Sequence, residues 1–382
     1  MYLAWREIWF ARTRFLMVGG VLALMSILIV IISGLSAGLV NDGVSSLKKM
    51  DADIVAFEEG TKSDSAFTRS VVDQSLVQRW RELDGIEDAA PLGLSIVNAK
   101  NSDGSPVDLS LFGIVPGSFI DPVPAEGKAI PQLQGNANPT ATKHEIVVSS
   151  TLKDEGVELG DELTLDRLGT KLKVVGFAEG QRTFGHVDVA FLPIDVWQEI
   201  HAGARAGEVV RDNAYQEASV IVARGNVDLD AVSQELGMDA RTMQTAFESS
   251  PGYLAESMTM SLIQWFLYAI AALVTGAFFL VWTIQRSGDI AVMRAMGATK
   301  GFLLRDSLGQ AVIILVSSLL IGVVIALAMA SGLEKTAMPF AIETGPVSLG
   351  TLLLFLFGMA GAAVAVFQVT RTDPLTALGE NR

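Results

Sequence analysis

The sequence contains no cysteine among its 382 residues, so disulfide bonds and thiolate metal sites are both excluded. Charged residues are also scarce: they make up 18% of the chain, while 50% of it is hydrophobic. A soluble protein of this length usually carries more charge and less apolar side-chain surface. The composition therefore indicates a membrane protein, and any domain outside the membrane must be held together by its own core.

The motifs of several enzyme classes are missing as well. The text nearest to a phosphate-binding P-loop, residues 60–63, lacks the Gly-Lys pair and the upstream glycine that would hold phosphates. The three histidines, His144, His186 and His201, show neither HExxH nor i,i+4 spacing, which argues against a histidine metal site. No Gly-x-Ser-x-Gly elbow is present. We therefore predict a protein without catalytic residues and without an intrinsic cofactor.

The net charge of −14 is unevenly divided along the chain. Residues 42–255 contain 34 acidic and 18 basic side chains, a net charge of −16, so the remainder is mildly basic. A strongly acidic segment of this length is typical of a domain in water and argues against nucleic acid as its partner.

Four apolar runs are each long enough to cross a hydrocarbon core of about 30 Å at about 1.5 Å rise per helical residue. The first, residues 16–40, is uncharged and longer than the hydrophobic region of a cleaved signal peptide, the alternative interpretation. We predict spans at residues 16–40, 256–285, 307–333 and 347–370, with a large domain at 41–255 between the first two. The remaining segments are an amphipathic N-terminal helix at 1–15, a loop at 286–306, a short loop at 334–346 and a tail at 371–382.

Basic residues decide the predicted orientation. They precede the first span, lie in the loop between the second and third spans, and follow the fourth, whereas residues 334–346 contain Lys335 as their single basic residue. By the positive-inside rule, both termini and the loop at 286–306 face the cytoplasm of a cell membrane, and the large domain lies outside. The basic residues concerned are Arg6, Arg12, Arg14, Arg286, Arg294, Lys300, Arg305 and Arg371.

Short β-rich runs alternate with helical patterns in the large domain, which predicts an α+β fold. The predicted strands are 52–57, 109–115, 145–148, 172–177 and 219–223. The predicted helices are 70–83, 194–202 and 229–236, and residues 131–142 read as a loop.

The loop between the second and third spans carries an amphipathic pattern. Ile290, Met293 and Met296 recur at helical spacing, and Gly297 can end the helix in the left-handed conformation. Two interpretations stay open on these residues alone: a helix against which an ATPase pushes, or an interfacial anchor that buries its apolar face among lipid headgroups.

Several segments resemble MacB/FtsX-type ABC transporter permeases. Residues 285–299, QRSGDIAVMRAMGAT, resemble the signature R-x-x-E-I-A-V-L-R-A-L-G-A, with Asp289 in place of the usual glutamate. Residues 371–378, RTDPLTAL, resemble the family's R-x-x-P-x-x-A-L ending. Residues 145–152 and 160–165 resemble its pattern in the large domain.

The resemblance implies a homodimer of this chain in the lipid membrane, working with two copies of a separate ATPase subunit that binds ATP. It places Asp289, Met293, Arg294 and Gly297 at the contact with that ATPase. The sequence itself offers support for the dimer, because Gly34 and Gly38 form a Gly-x-x-x-Gly motif that lets two membrane helices approach closely. The same spacing also arises by chance in glycine-rich spans.

Among these families the chain is most similar to HrtB/DevC-like permeases, which implies haem as the exported cargo. Haem needs an apolar slot and axial iron ligands such as His, Met, Tyr or a carboxylate. Glu256 and Met260 share one helical face at the start of the second span, near Tyr253 and Met258. We expect this region to bind haem in the outer leaflet, between the second spans of two protomers. Glu334 and Met338, which have the same spacing, are the reserve pair.

We therefore predict the permease subunit of an ABC-type efflux pump that exports haem by ATP-driven movement. Two alternatives remain. One is an FtsX-like mechanotransmitter that controls a cell-wall hydrolase outside the membrane, and the other is a subunit that senses an extracellular ligand.

Overall fold

The computed structural model describes residues 12–131, 144–285, 296–297, 299–333 and 339–371. The chain divides into two compact units. One comprises Met1–Gly38 and Ser257–Arg382 and is called the membrane unit below. The other comprises Leu39–Glu256 and is called the inserted domain.

Four long apolar helices dominate the described residues. They are α1 (Arg12–Lys48), α7 (Tyr253–Gln285), α8 (Lys300–Leu333) and α9 (Thr344–Arg371). Within them, Leu16–Lys48, Tyr253–Gln285, Arg305–Leu333 and Thr344–Phe367 are long and apolar enough to cross a membrane. The prediction of four membrane helices, with an α+β domain between the first and the second, is confirmed.

The ends of these helices differ from the predicted boundaries. Helix α1 continues to Lys48, although it has a kink at Val44, where φ is −143° and ψ is 19°. Helix α8 begins at Lys300, so the last residues of the predicted loop are helical. Residues 1–11, most of the loop at 286–306 and the tail at 372–382 lie outside the described residues.

Small residues bring the helices of the membrane unit close together. A Cβ atom at Gly361 of α9 would lie 2.1 Å from the carbonyl oxygen of Ala272 in α7, closer than any side chain is tolerated. Around this contact, two clusters of buried apolar side chains include Leu22, Phe279 and Leu315 in one and Ile29, Tyr268 and Leu354 in the other. Without a hydrophobic driving force in lipid, this close packing is what holds such helices together.

The inserted domain is built on a mixed sheet. Its strands and those of a separate small pair are β1 (Ile54–Glu58), β2 (Val72–Asp73), β3 (Ile86–Lys100), β4 (Pro106–Ile114), β5 (Pro124–Gly127), β6 (Glu145–Ser149), β7 (Glu162–Leu165), β8 (Lys171–Ala178), β9 (Thr183–Phe184), β10 (Val187–Pro193), β11 (Glu217–Ala218), β12 (Val220–Gly225) and β13 (Met238–Thr242).

Within the described residues the large sheet has eleven strands, and their hydrogen-bonded order is β13-β1-β12-β3-β4-β10-β6-β8-β5, with β7 beside β3 and β8, and β9 beside β10. Strands β2 and β11 form the separate pair. The β4–β10 and β6–β8 pairs are parallel, and the other pairs are antiparallel.

Short helices connect and cover these strands. They are α2 (Ala66–Arg69), α3 (Leu76–Arg81), α4 (Ile194–His201), α5 (Leu229–Leu236) and α6 (Met243–Ala246), with 3₁₀ turns at Ser150–Lys153, Asp212–Gln216 and Phe247–Ser249. Helix α4 packs closely on the sheet because Gly93 and Gly113 leave room for the ring of Trp197. The Nε1–H of Trp197 donates to Oγ of Ser95 at 3.0 Å, so the buried indole keeps a polar partner.

Local patterns predict most of these elements but not all. The predicted helix at 70–83 is wrong at its start, because β2 pairs with Glu217–Ala218 and the helix begins only at Leu76. The fifteen-residue strand β3 was not predicted. The predicted loop at 131–142 lies almost entirely outside the described residues.

Candidate functional site

Glu256 lies in the first turn of α7, which begins at Tyr253. Gly252 has a φ of +78°, which a right-handed helix does not allow, so the helix begins only after it. The backbone N–H of Glu256 donates to the carbonyl of Gly252 at 3.0 Å. The carboxylate lies in the first turn and therefore benefits from the positive end of the helix dipole.

His186 of the inserted domain joins Glu256 to the end of α1. Its Nε2 atom lies 3.1 Å from each carboxylate oxygen of Glu256, and its Nδ1 atom lies 2.9 Å from Oδ2 of Asp42. The side chains of Asp42, His186 and Glu256 are 22%, 30% and 37% exposed. We call these three residues the carboxylate–histidine bridge.

The turn between β9 and β10 places His186 in this position. Gly185 and His186 have φ values of +59° and +63°, and the strand pairing runs from Phe184 to Val187. Two successive residues with positive φ make the type I′ turn that suits a two-residue hairpin. Histidine is one of the few residue types besides glycine that adopt this conformation readily, and from this tip its side chain reaches Asp42 and Glu256.

The two carboxylates determine the protonation of His186. The hydrogen bond to Asp42 raises the pKa of the imidazole above its ordinary value, and the negative charges of Glu256 and Asp42 act in the same direction, while burial opposes them. Both ring nitrogens are thereby occupied by carboxylates. Across the part of the chain that the structure describes, no group of three or more His, Asp or Glu side chains is arranged to hold a metal ion.

Further hydrogen bonds attach the same hairpin to the last turns of α1. Nε2 of Gln181 donates to Oδ1 of Asp42 at 2.7 Å, and the backbone N–H of Thr183 donates to Oγ of Ser45 at 2.7 Å. The backbone N–H of Gly185 donates to the carbonyl of Gly43 at 2.8 Å. The hairpin is thus hydrogen-bonded to α1 through both side-chain and backbone groups.

Gly34 and Gly38 of α1 lie against a segment of their own chain. A Cβ atom at Gly34 would lie 2.3 Å from the ring of Phe340, and one at Gly38 would lie 2.1 Å from the carbonyl oxygen of Pro339. The backbone N–H of Ala341 also donates to the carbonyl of Gly34 at 3.1 Å. The close approach that these glycines permit is therefore intramolecular here, and their predicted role in a dimer stays a prediction.

Comparison with known proteins identifies a permease domain in the membrane unit. Residues 261–374, which contain most of α7 and all described residues of α8 and α9, match the family model described as FtsX-like permease C-terminal. These residues therefore form an FtsX-like permease domain.

Relatives of this permease extend over its whole length. A protein of Staphylococcus epidermidis named hemin transport system permease protein HrtB is 23% identical over 379 residues, which cover 99% of each chain. An uncharacterized ABC transporter permease of Mycobacterium tuberculosis is 21% identical over 350 residues, 91% of this chain and 90% of that one. The solved periplasmic region of MacB from Actinobacillus actinomycetemcomitans shares 11% identity with a TM-score of 0.36, covering 52% of this chain and 92% of that chain. A TM-score of this size supports no further comparison.

The permease is a non-catalytic membrane component whose ATPase is a separate subunit, as predicted. Of the residues expected to contact that ATPase, Asp289, Met293 and Arg294 lie outside the described residues. Gly297 has a φ of +97°, the left-handed conformation expected for the end of a helix.

The residues expected to bind cargo have different surroundings. Tyr253 is half-buried and packs against Phe247, with ring centroids 6.4 Å apart. Met258 is 64% exposed, whereas Met260 is half-buried. The reserve pair, Glu334 and Met338, lies outside the described residues.

Sequence reasoning placed Glu256 at the start of the second membrane helix but missed its partner. The sequence analysis assessed His186 only as a metal ligand and rejected that role, because no helical spacing connects it with another histidine. The Gly185-His186 pair between β-prone residues was the available signal for a hairpin tip. Which side chains meet that tip is decided by the fold.

Proposed function

We propose that this permease exports haem from the membrane as a homodimer, driven by two copies of a separate ATPase subunit. The observation that carries the proposal is the full-length similarity to relatives named hemin transport permeases, which covers 99% of each chain. We further propose the orientation given by the positive-inside rule, with both termini in the cytoplasm and the inserted domain outside.

Glu256 and Met260 are the proposed ligands of the haem iron. They are four residues apart on α7, so their side chains leave the helix on the same face. A carboxylate and a thioether are both suitable axial ligands. Glu256 is 37% exposed, so cargo can reach it from solvent or lipid.

Haem binding has to compete with His186 for this carboxylate. Both oxygens of Glu256 face Nε2 of His186 at 3.1 Å, and an iron ligand needs at least one of them. We therefore expect cargo binding to release at least part of the carboxylate–histidine bridge. Tyr253 is expected to contribute less than Glu256, since its ring packs against Phe247.

The test is a haem titration of the purified permease, followed by absorption spectroscopy. Glu256→Ala and Met260→Ala should each shift the haem absorption bands and weaken binding. Met258→Ala is the matched comparison: it removes the same kind of side chain from a position about 160° around the helix and should change the spectrum less than Met260→Ala does.

Wild-type spectra in both variants would reject this site and direct the search to Glu334 and Met338. The direction of transport is tested by measuring the haem content of cells. Expression of the pump should lower cellular haem, and Glu256→Ala should restore it. Unchanged haem content with a functional ATPase would contradict export.

A further inference from the structure

Three segments that are far apart in sequence meet around the carbonyl of Gly43 in the inserted domain. This carbonyl accepts from the backbone N–H of Gly185 at 2.8 Å and from Oγ of Ser250 at 3.2 Å. Ser250 lies just before α7, and Gly185 forms the hairpin tip with His186. The end of α1, the β9–β10 hairpin and the start of α7 are thus joined at one place.

The helix α1 is interrupted where these bonds form. Val44, the residue after Gly43, has non-helical φ and ψ angles, so the regular ladder of helix hydrogen bonds breaks at this point. Donors from the hairpin and from the start of α7 satisfy the carbonyl of Gly43. The kink is therefore accompanied by an attachment to other segments and is not a free hinge.

The hairpin that makes the attachment is rigidly held by the domain core. Phe184, directly before the turn, is 1% exposed and packs edge-to-face against Phe67 and Phe112, with ring centroids 5.4 and 5.7 Å away. Oγ of Ser110 donates to the carbonyl of Phe184 at 2.9 Å. When the domain core moves, His186 is consequently expected to move with it.

We propose that the β9–β10 hairpin is a clamp that makes the end of α1 and the start of α7 move as one body, with His186 as the positioning residue that joins them. His186 suits this role because its two ring nitrogens reach one carboxylate on each helix, Asp42 and Glu256, at 2.9 and 3.1 Å. Displacement of one membrane helix is then transmitted to the other through the inserted domain. The clamp requires no particular cargo.

The absence of cysteine makes the clamp directly measurable. Spin labels are attached to the full-length permease in lipid nanodiscs through Lys48→Cys and Leu254→Cys, two exposed positions on the two helix ends. The distance distribution between the labels is recorded without haem and without ATP, so the outcome is independent of the proposed function.

His186→Asn is the principal variant, because asparagine tolerates the positive φ of this position but is too short to reach both carboxylates. Labelled protein is mixed with an excess of unlabelled permease, so that only labels within one chain are measured. The intact protein should then give a single narrow distribution, and His186→Asn should lose it. His201→Asn is the matched control: it changes another histidine of the same domain, which stacks on Trp197, and should keep the narrow distribution.

A second variant guards against a misfolded His186→Asn protein. Asp42→Ala removes the other end of the bridge, together with the hydrogen bond from Gln181, without changing the hairpin sequence, and should also broaden the distribution. Asp42→Asn keeps an oxygen that can accept from His186 and should retain the narrow one. A narrow distribution in both His186→Asn and Asp42→Ala, or equal broadening in Asp42→Ala and Asp42→Asn, would overturn the clamp.

Discussion

Gly38 and Pro339 approach each other so closely that a single methyl group cannot be inserted between them. A Cβ atom at Gly38 would lie 2.1 Å from the carbonyl oxygen of Pro339 and 2.4 Å from its carbonyl carbon. These are backbone atoms, which cannot rotate away as the end of a flexible side chain could. The short segment before α9 is thereby seated on the first membrane helix of the same chain.

Gly38→Ala should therefore destabilise the membrane unit by about 1–3 kcal/mol, the usual cost of overpacking. The measurement is the thermal stability of the purified permease in one detergent. Gly20→Ala is the matched control on the same helix, because within the described part of the chain no atom lies within 4 Å of the added Cβ. That control should be neutral or slightly stabilising, since alanine favours helix. Equal effects at both positions would contradict the close contact.

The same contact changes how a dimerisation test has to be designed. Replacing Gly34 and Gly38 by isoleucine would displace Phe340 and Pro339 within one chain, whether or not the first helices of two protomers touch. The predicted dimer contact should instead be tested by crosslinking single cysteines on the exposed face of α1, for example at Leu24, which is 65% exposed. Crosslinked dimers at Leu24→Cys, but not at the exposed Val123→Cys of the inserted domain, would support it.

Phe184 should be essential for the hairpin that carries His186. Phe184→Ala opens a cavity among Phe67, Phe112 and Ser110 and should cost about 3–5 kcal/mol of unfolding free energy. Phe184→Leu refills most of the volume and should cost less. The measurement is tryptophan fluorescence during chemical unfolding, with Val123→Ala as an exposed control expected to change stability by less than about 0.5 kcal/mol.

Asp188 gives a pH dependence of stability with a defined sign. Burial raises the pKa of its carboxyl group, opposed by hydrogen bonds from Thr151 and Ser149, and the negative charges of Asp42 and Asp154 raise it further. The folded protein then holds this proton more tightly than the unfolded chain does. Stability contributed by the protonated carboxyl is present below the ordinary aspartate pKa and is lost as the pH rises through the raised value.

Asp188→Asn, which cannot ionise and keeps an acceptor oxygen, should accordingly match the wild type in acid and exceed it at neutral pH by up to about 1 kcal/mol. Thermal unfolding at a series of pH values measures the difference. Asp103→Asn is the control. A backbone hydrogen bond from Ser105 lowers the pKa of the exposed Asp103, so at neutral pH this variant should be less stable than the wild type instead of more stable. A variant advantage at Asp188 that is constant with pH would refute the ionisation argument.

Gly297 has a backbone conformation that disfavours other residue types. Its φ of +97° is unfavourable for side chains, while no atom of the described residues lies within 4 Å of an added Cβ. Gly297→Val should therefore add backbone strain of about 1–3 kcal/mol, lowering haem export while haem binding survives. Gly301→Val, a nearby helical glycine with equally open surroundings and no positive φ, should have little effect. Equal loss of binding and export would favour the interpretation of this loop as a membrane anchor.

The sequence alone was sufficient for the membrane architecture. A helix that crosses lipid must be apolar along its own length, because hydrocarbon offers no partners for polar groups, so composition and run length identify each span locally. The acidic character of residues 42–255 likewise identified a domain in water between the first two spans. Within that domain the sequence did not predict every strand, since β3 was missed.

Tertiary structure alone decided the contacts of the candidate site. His186 lies 144 residues from Asp42 and 70 residues from Glu256, and no periodicity in the sequence relates positions at such separations. The start of α7 depended on the positive φ of Gly252, and the partners of Gly34 and Gly38 depended on where Pro339 and Phe340 pack. Patterns of helix and strand record which face of an element is buried, whereas the identity of the neighbour on that face is determined only when the whole chain has folded.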